Sequence, residues 1–234
     1  MRFDPPLVEG VLLRRYKRFF ADVETEDGQE LTVHCANPGS MLGFDRPGAA
    51  VRCSTSDNPR RKLRHTLEMM RVGRIWVGLH TLRANQVVGR ALEAGAVPEL
   101  RGYARIDREV RVDGRSRLDF ALSQHPRDRT RAFVEVKSVT LGEGPVARFP
   151  DSVSERGRRH LDARASLRRG GHRAAIVNLG QRADCDRVAP ADDIDPAYGT
   201  ALRAAAAAGV ELIALGARLT DRSIAVERSL PVVL

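Results

Sequence analysis

Lysine is almost missing from this sequence. Of its 39 basic residues only Lys17, Lys62 and Lys137 are lysines, so arginine serves wherever any positive charge suffices. Arg is permanently protonated and binds as a planar fork, whereas Lys is a compact charge whose pKa moves on burial. A Lys retained against this background points to work that Arg does poorly. Cysteine is nearly as scarce: Cys35, Cys53 and Cys185 are odd in number, far apart and without Cys-x-x-Cys spacing, which argues against a disulfide framework and a zinc site. No apolar run is long enough to span a bilayer. The first residues, Met1 to Pro6, carry charges and prolines where a signal peptide needs an apolar core, so the expected compartment is the cytoplasm. A Gly-rich phosphate loop and a Gly-x-Ser-x-Gly nucleophile turn are also absent.

What is present is an ordinary globular composition, 42% hydrophobic and 29% charged over 234 residues, with length for one large domain or, as we prefer, two small ones. The formal charge of +9 and a pI near 10.4 favour a polyanionic partner. No basic amphipathic helix with aromatic anchors stands out, which makes a membrane surface the weaker partner and nucleic acid the stronger. Surface Arg can also be mere compositional drift.

From Glu9 to Leu79 the signals are those of strands: Gly10 to Arg15, Phe19 to Glu24, Glu30 to Cys35, Ala49 to Cys53, Leu63 to Met70 and Ile75 to Leu79, with Asp27-Gly28 as a hairpin turn. Strands at this spacing predict a small barrel of OB type. Arg14-Arg15-Tyr16-Lys17-Arg18-Phe19-Phe20 interleaves cations with aromatics, the mixture that follows a phosphate backbone and stacks bases; the aromatics are equally well core residues of the first two strands. Arg60-Arg61-Lys62-Leu63-Arg64 is a second basic cluster, a run that is more often a solvated turn.

The character changes near Thr81. Leu82 to Ala94 reads as a helix stopped by Gly95. Strands follow at Ala104 to Val112, Arg115 to Leu122, around an Asp113-Gly114 turn, and Ala132 to Val139. Ser152-Val153-Ser154-Glu155 is a capping-box pattern for a helix running to Arg169, with Val153, Gly157, Leu161 and Ala165 as its buried stripe. Arg173 to Leu179 is a buried strand. A last helix, capped by Asp195 with Pro196 first and closed by Gly209, precedes strands at Val210 to Leu215 and Ser223 to Glu227.

Within this α/β half, Val134 and Val136 alternate with Glu135 and Lys137, so the carboxylate and the amine emerge on one face. Asp119 sits in the apolar run before them, and a neighbouring strand can bring it beside Glu135, giving two hard oxygen ligands for Mg²⁺. Converging carboxylates repel, so neutralising either should stabilise the metal-free fold. Arg156 and His160, spaced i and i+4, share a face and can both point at that site. The plainer alternatives are a solvated strand face for Glu135 and Lys137 and a solvated helix face for Arg156 and His160.

His34-Cys35-x-Asn37-x-Gly39-Ser40-Met41, Arg61-Lys62-Leu63, Ser116-Arg117-x-Asp119-Phe120, Val134-Glu135-Val136-Lys137-Ser138, Phe149-Pro150-Asp151 and Glu155-Arg156-Gly157-x-x-His160-Leu161 together resemble the sugar fermentation stimulation protein A family, and the Asp…Glu-x-Lys portion resembles the PD-(D/E)XK nuclease core. The resemblance implies an OB-like domain over 1–81, followed by a restriction-endonuclease-like α/β domain over 82–234. It implies DNA binding, with RNA as a second substrate, and a nuclease dependent on Mg²⁺ or Mn²⁺. Asp119 and Glu135 become metal ligands, with the Val136 carbonyl as a third oxygen, and Lys137 positions water or phosphate. Gln181, with Arg156 and His160, becomes an auxiliary residue, while Arg14, Arg15, Lys17, Arg18, Arg61 and Lys62 are the nucleic-acid contacts expected from the basic clusters themselves. A non-catalytic DNA-binding regulator of sugar-metabolism genes, retaining the nuclease fold, is the competing function.

Overall fold

The computed structural model describes residues 1–234 apart from Pro38, Asp45 and 113–115. The Asp113-Gly114 turn thus lies outside the described residues.

Strands β1 (Val8–Tyr16), β2 (Phe20–Thr25), β3 (Glu30–Cys35), β4 (Ala50–Thr55), β5 (His65–Val72) and β6 (Ile75–Gly78) form one sheet in the order β3-β2-β1-β4-β5-β6. A parallel pairing of His34 with Thr66 and Cys35 with Leu67 joins β3 to β5 and closes the first five into a barrel. Alternate residues of these strands, among them Leu12, Val23, Val33, Cys35, Val51, Cys53 and Leu67, fill its interior, the period-two burial that a pleated strand imposes. Tyr16 and Phe20 are not part of that core: their rings stack on each other at 5.5 Å and stay half-buried, and Phe19 is exposed. Lys17 and Arg18 both adopt left-handed backbone angles in the turn between β1 and β2.

Helix α1 (Thr81–Glu93) leads out of the barrel and ends at Gly95, whose φ of +63° suits a residue without Cβ. The second sheet has the order β15-β14-β12-β9-β8-β7, built from β7 (Arg105–Val112), β8 (Ser116–Ser123), β9 (Ala132–Val139), β12 (Arg173–Gly180), β14 (Glu211–Leu219) and β15 (Ile224–Leu230). Strand β9 is central, antiparallel to β8 and parallel to β12, and burial along it is nearly continuous, as expected of a strand covered on both faces. Val134, Val136 and Ala175 pack with α1. On the other face lie α2 (Glu155–Arg169) and α3 (Pro196–Ala207), with Leu161, Ile176 and Leu202 between them. A small sheet of β10 (Leu141–Glu143), β11 (Val146–Phe149) and β13 (Arg187–Pro190) completes the fold; its strands are too short to show periodicity in the sequence.

The start of α2 differs from the capping box expected at Ser152. Ser154 is the cap, its Oγ accepting the Gly157 N–H at 3.0 Å, and its own N–H donates to Asp195 at 2.8 Å. Asp195 simultaneously caps α3 through the Tyr198 N–H, so one carboxylate pins both helix starts. Beginning two residues later leaves Val153 outside the helix and exposed, while Gly157, Leu161 and Ala165 are buried. No helix among the described residues is long and apolar enough to cross a membrane.

Candidate active site

Glu135 and Lys137 are not solvated strand residues: they retain 5% and 8% of their exposure, on the face of β9 covered by α2. Burying a carboxylate and an ammonium is costly unless they are paired, and here they are, with Lys137 Nζ donating to Glu135 Oε1 at 2.9 Å. Helix α2 adds two more donors. His160 Nδ1 bonds the same oxygen, and Arg164, fully buried, donates to Oε2. Nε2 of His160 accepts from Arg156 Nε at 3.4 Å, so this network fits the tautomer with its proton on Nδ1. Burial alone would push the Glu135 carboxyl up; the His160 hydrogen bond and the charges of Lys137 and Arg164 overcome it and bring the pKa down to about 2.

Asp119 reaches the site from β8. The ladder between β8 and β9 runs as far as Phe120 opposite Val134, which sets Asp119 and Glu135 across from one another as the next facing residues. Asp119 Oδ2 then accepts the Val136 N–H at 2.7 Å, and Oδ1 accepts Asn85 Nδ2 from α1 at 2.7 Å. Its pKa moves the opposite way. Burial and the neighbouring Glu135 charge raise it, against the pull of the Val136 N–H, Asn85 and Lys137. Two carboxylates on one site are thereby driven apart, Glu135 firmly ionised and Asp119 reluctant, a pattern characteristic of functional sites. The repulsion is not shared evenly, because Lys137, His160 and Arg164 bond directly to Glu135 and none of them to Asp119.

Asp119, Glu135, Lys137, Arg156 and His160 line one cavity of about 420 Å³. Among the described residues no three His, Cys, Asp or Glu side chains cluster to hold a metal unaided. The donor set nevertheless suits a hard divalent ion that takes one or two carboxylates and keeps several waters: each Asp119 oxygen accepts one hydrogen bond and retains a lone pair, and a cation between the carboxylates would relieve the burden on Asp119.

Gln181 lies elsewhere. Its Nε2 donates to Ser138 Oγ at 2.7 Å and its carbonyl accepts the Gly78 N–H at 2.9 Å, at the junction of β6 with the second sheet. A Cβ on Gly78 would fall 2.6 Å from Gln181 Oε1, so this glycine is what lets the barrel approach so closely. The basic run of β1 also divides. Lys17 and Arg18 are exposed, but Arg14 is held by Asp22 at 2.7 Å and Arg15 Nη2 donates to the Asn37 and Gly39 carbonyls at 3.1 Å, stapling the loop after β3. Arg61 and Lys62 join Phe20 and His34 around an open depression of about 310 Å³. Asn85 and Arg164 were not among the candidates. Arg164 continues the Arg156, His160 spacing by another four residues, a signal that was legible; Asn85 on α1 had none.

A five-stranded OB barrel joined to a mixed α/β sheet of restriction-endonuclease-like type defines the class of protein. The chain belongs to the sugar fermentation stimulation protein (SfsA) family: the family's N-terminal OB domain matches residues 13–79 and its RE domain residues 82–223. The sugar fermentation stimulation protein homologue of Halorhodospira halophila is 51% identical over 99% of this chain and 98% of its own length. That of Pseudomonas paraeruginosa is 51% identical over 99% of both. The solved structure of Pyrococcus furiosus SfsA in complex with Ca²⁺ is 31% identical, with a TM-score of 0.89 over 100% of this chain and 98% of that one.

Proposed function

We propose that this protein is a divalent-metal-dependent phosphodiesterase acting on DNA, and secondarily on RNA. The observation that carries the reading is the pairing of Asp119 and Glu135 in one cavity with a buried Lys137 whose Nζ is 2.9 Å from Glu135. The Ca²⁺ complex of the Pyrococcus furiosus relative supports divalent binding. Mg²⁺ or Mn²⁺ would be held by Asp119 and Glu135, supplying Lewis acidity towards the phosphate and a water of lowered pKa. Asn85 and the Val136 N–H fix the Asp119 carboxylate, so its orientation is set before substrate arrives. Lys137 offers a compact cation to a non-bridging phosphate oxygen, and Arg156 at the rim offers a fork to a neighbouring phosphate.

We take 1–81 as the unit that holds the strand and 82–234 as the unit that acts on it, in the cytoplasm. The depression formed by Phe20, His34, Arg61 and Lys62 lies on the β2–β3 side beside the β4–β5 loop, the surface OB folds use for oligonucleotides, and Lys17 and Arg18 extend it from the β1–β2 turn. Burial, with the Arg61 charge, keeps His34 below its usual pKa, leaving a neutral ring suited to stacking.

A second reading, a non-catalytic DNA-binding regulator of sugar-metabolism genes, draws support from Glu135 being neutralised already by its protein partners. Labelled single- and double-stranded DNA and RNA, incubated with Mg²⁺, Mn²⁺ or EDTA, separate the two. Metal-dependent cleavage that disappears in Asp119→Asn is expected; absent cleavage with intact binding favours the regulator.

A further inference from the structure

Lys137 has a second side. Beyond it, where the loop after β3 meets the end of β9, lies another cavity of about 260 Å³, and Asn85, Val136 and Lys137 form a wall common to both. The rest of its lining is mixed: Asn37 comes from the loop after β3, Thr81 from the start of α1, Ser138 and Thr140 from the end of β9 and just beyond it, Arg148 and Phe149 from β11, and the carboxylate Asp151 from the turn before α2.

Two of these side chains are more than nine-tenths buried and leave hydrogen-bonding capacity unused. Asn37 retains 5% exposure; its Oδ1 accepts the Gly39 N–H at 3.0 Å, but its Nδ2 has no partner among the described residues. Thr140 retains 7%, and its hydroxyl likewise has none. An amide donor and a hydroxyl without a partner among the described residues thus lie in one cavity, where they offer a ligand its hydrogen bonds. The loop that presents Asn37 is braced by Arg15, so the donor is held in place beforehand. Phe149 adds an apolar ring, half-buried and packed edge-on against Tyr198 at 5.3 Å.

We propose that this cavity receives a single nucleotide unit of the strand, its base inside against Phe149, Asn37 and Thr140, and its phosphate towards Lys137 at the common wall. A nucleobase supplies what the lining asks for: ring and carbonyl acceptors for an amide, an edge that both donates and accepts for a hydroxyl, and a flat face for an aromatic ring. The volume is near the lower end of small-molecule sites, which begin at about 300 Å³, so it suits one ring system and not a stacked strand. A base in a duplex cannot enter without leaving its stack. The substrate class is therefore single-stranded or frayed nucleic acid. The inference rests on the phosphodiesterase reading for the fate of the phosphate, but not for the binding itself.

The test is calorimetric titration of the full chain in EDTA with 2′-deoxyadenosine 5′-monophosphate and with 2-deoxyribose 5-phosphate, which lacks the base. The parent should bind the nucleotide at least tenfold more tightly. Thr140→Val and Asn37→Asp, the latter keeping the acceptor for Gly39, should each bring that ratio to within about twofold of unity. Equal affinity of the parent for the two ligands overturns the proposal, and needs no variant; so does a parent-like ratio in both variants. Cleavage assays on the same preparations keep the two readings apart. A base-dependent affinity that both variants lose, without cleavage in Mg²⁺ or Mn²⁺, upholds the nucleotide site and removes the phosphodiesterase, whereas cleavage without base dependence removes the nucleotide site alone.

Discussion

Arg164, fully buried in the second half of α2, donates to Glu135 Oε2 at the edge of the cavity, so the carboxylate proposed to hold metal is also the counter-ion of a guanidinium with no access to water. Burial disfavours the charged Arg164, and the Glu135 and Asp119 charges oppose that shift. Breaking a buried pair by removing one partner strands the other, at a cost of about 3–5 kcal/mol. Arg164→Met should therefore lower the unfolding free energy by that order in urea titrations at pH 7. A loss below about 1 kcal/mol would show that Glu135 does not depend on this partner.

The two carboxylates should respond to neutralisation with opposite signs. Glu135→Gln leaves Arg164 and Lys137 without their charge partner and should destabilise the metal-free protein, whereas Asp119→Asn removes a charge that burial already disfavours and should be neutral or stabilising by about 1 kcal/mol. Acid titration isolates the Glu135 share. Its folded pKa of about 2 lies below the ordinary 4.5, so its contribution is complete above about pH 4.5 and fades as pH falls towards about 2. At about 1.4 kcal/mol per pKa unit this amounts to roughly 3 kcal/mol. The parent should lose that much more stability than Glu135→Gln between pH 5 and pH 2; parallel stability curves would contradict the ion-pair network.

The basic run of β1 yields a prediction that depends on which cations are engaged. Lys17→Gln with Arg18→Gln removes two exposed charges and should reduce the salt slope of single-stranded DNA binding by about 1.4, following counterion release. Arg14→Gln should change it little, because Asp22 already occupies that guanidinium. Arg15→Gln should instead lower the melting temperature, since Arg15 ties the loop carbonyls of Asn37 and Gly39. Filter binding across a salt series, with thermal melts, distinguishes these outcomes.

The barrel and the central strands were readable because their signals are local: period-two alternation, Gly and Pro punctuation, and for β9 an apolar run broken only by Glu135 and Lys137. The acidic pair is readable for the same reason, β8 and β9 being neighbours. What sequence hid was tertiary. Arg14, Arg15, Lys17 and Arg18 look alike in a line of text, yet Asp22 and the loop carbonyls engage the first two, whereas the Lys17 and Arg18 side chains make no hydrogen bond among the described residues. Val153 fits the helical stripe, but Asp195, forty-two residues later, holds the Ser154 N–H and the helix starts after it. Gln181 follows a buried strand as an auxiliary residue would, and the close approach of Gly78 turns it towards the barrel.

Lys137 distinguishes catalysis from binding. Its ammonium sits in a notch bounded by Glu135 at 2.9 Å, His160 Nδ1 at 3.4 Å and the Phe149 ring at 5.9 Å, and it forms part of both cavities. Lys137→Arg keeps the charge but puts a wider, planar group where a compact one fits. The guanidinium must then displace His160 or project into the cavity, moving the charge away from the phosphate oxygen it would face. Cleavage in Mg²⁺ should fall by about a hundredfold or more, the usual scale for a misplaced electrostatic or acid–base group, while DNA affinity measured in Ca²⁺ stays within about twofold, since no charge has been lost. A regulator that only binds would show neither change. Equal cleavage rates for parent and variant would place any nuclease activity of the preparation outside this site.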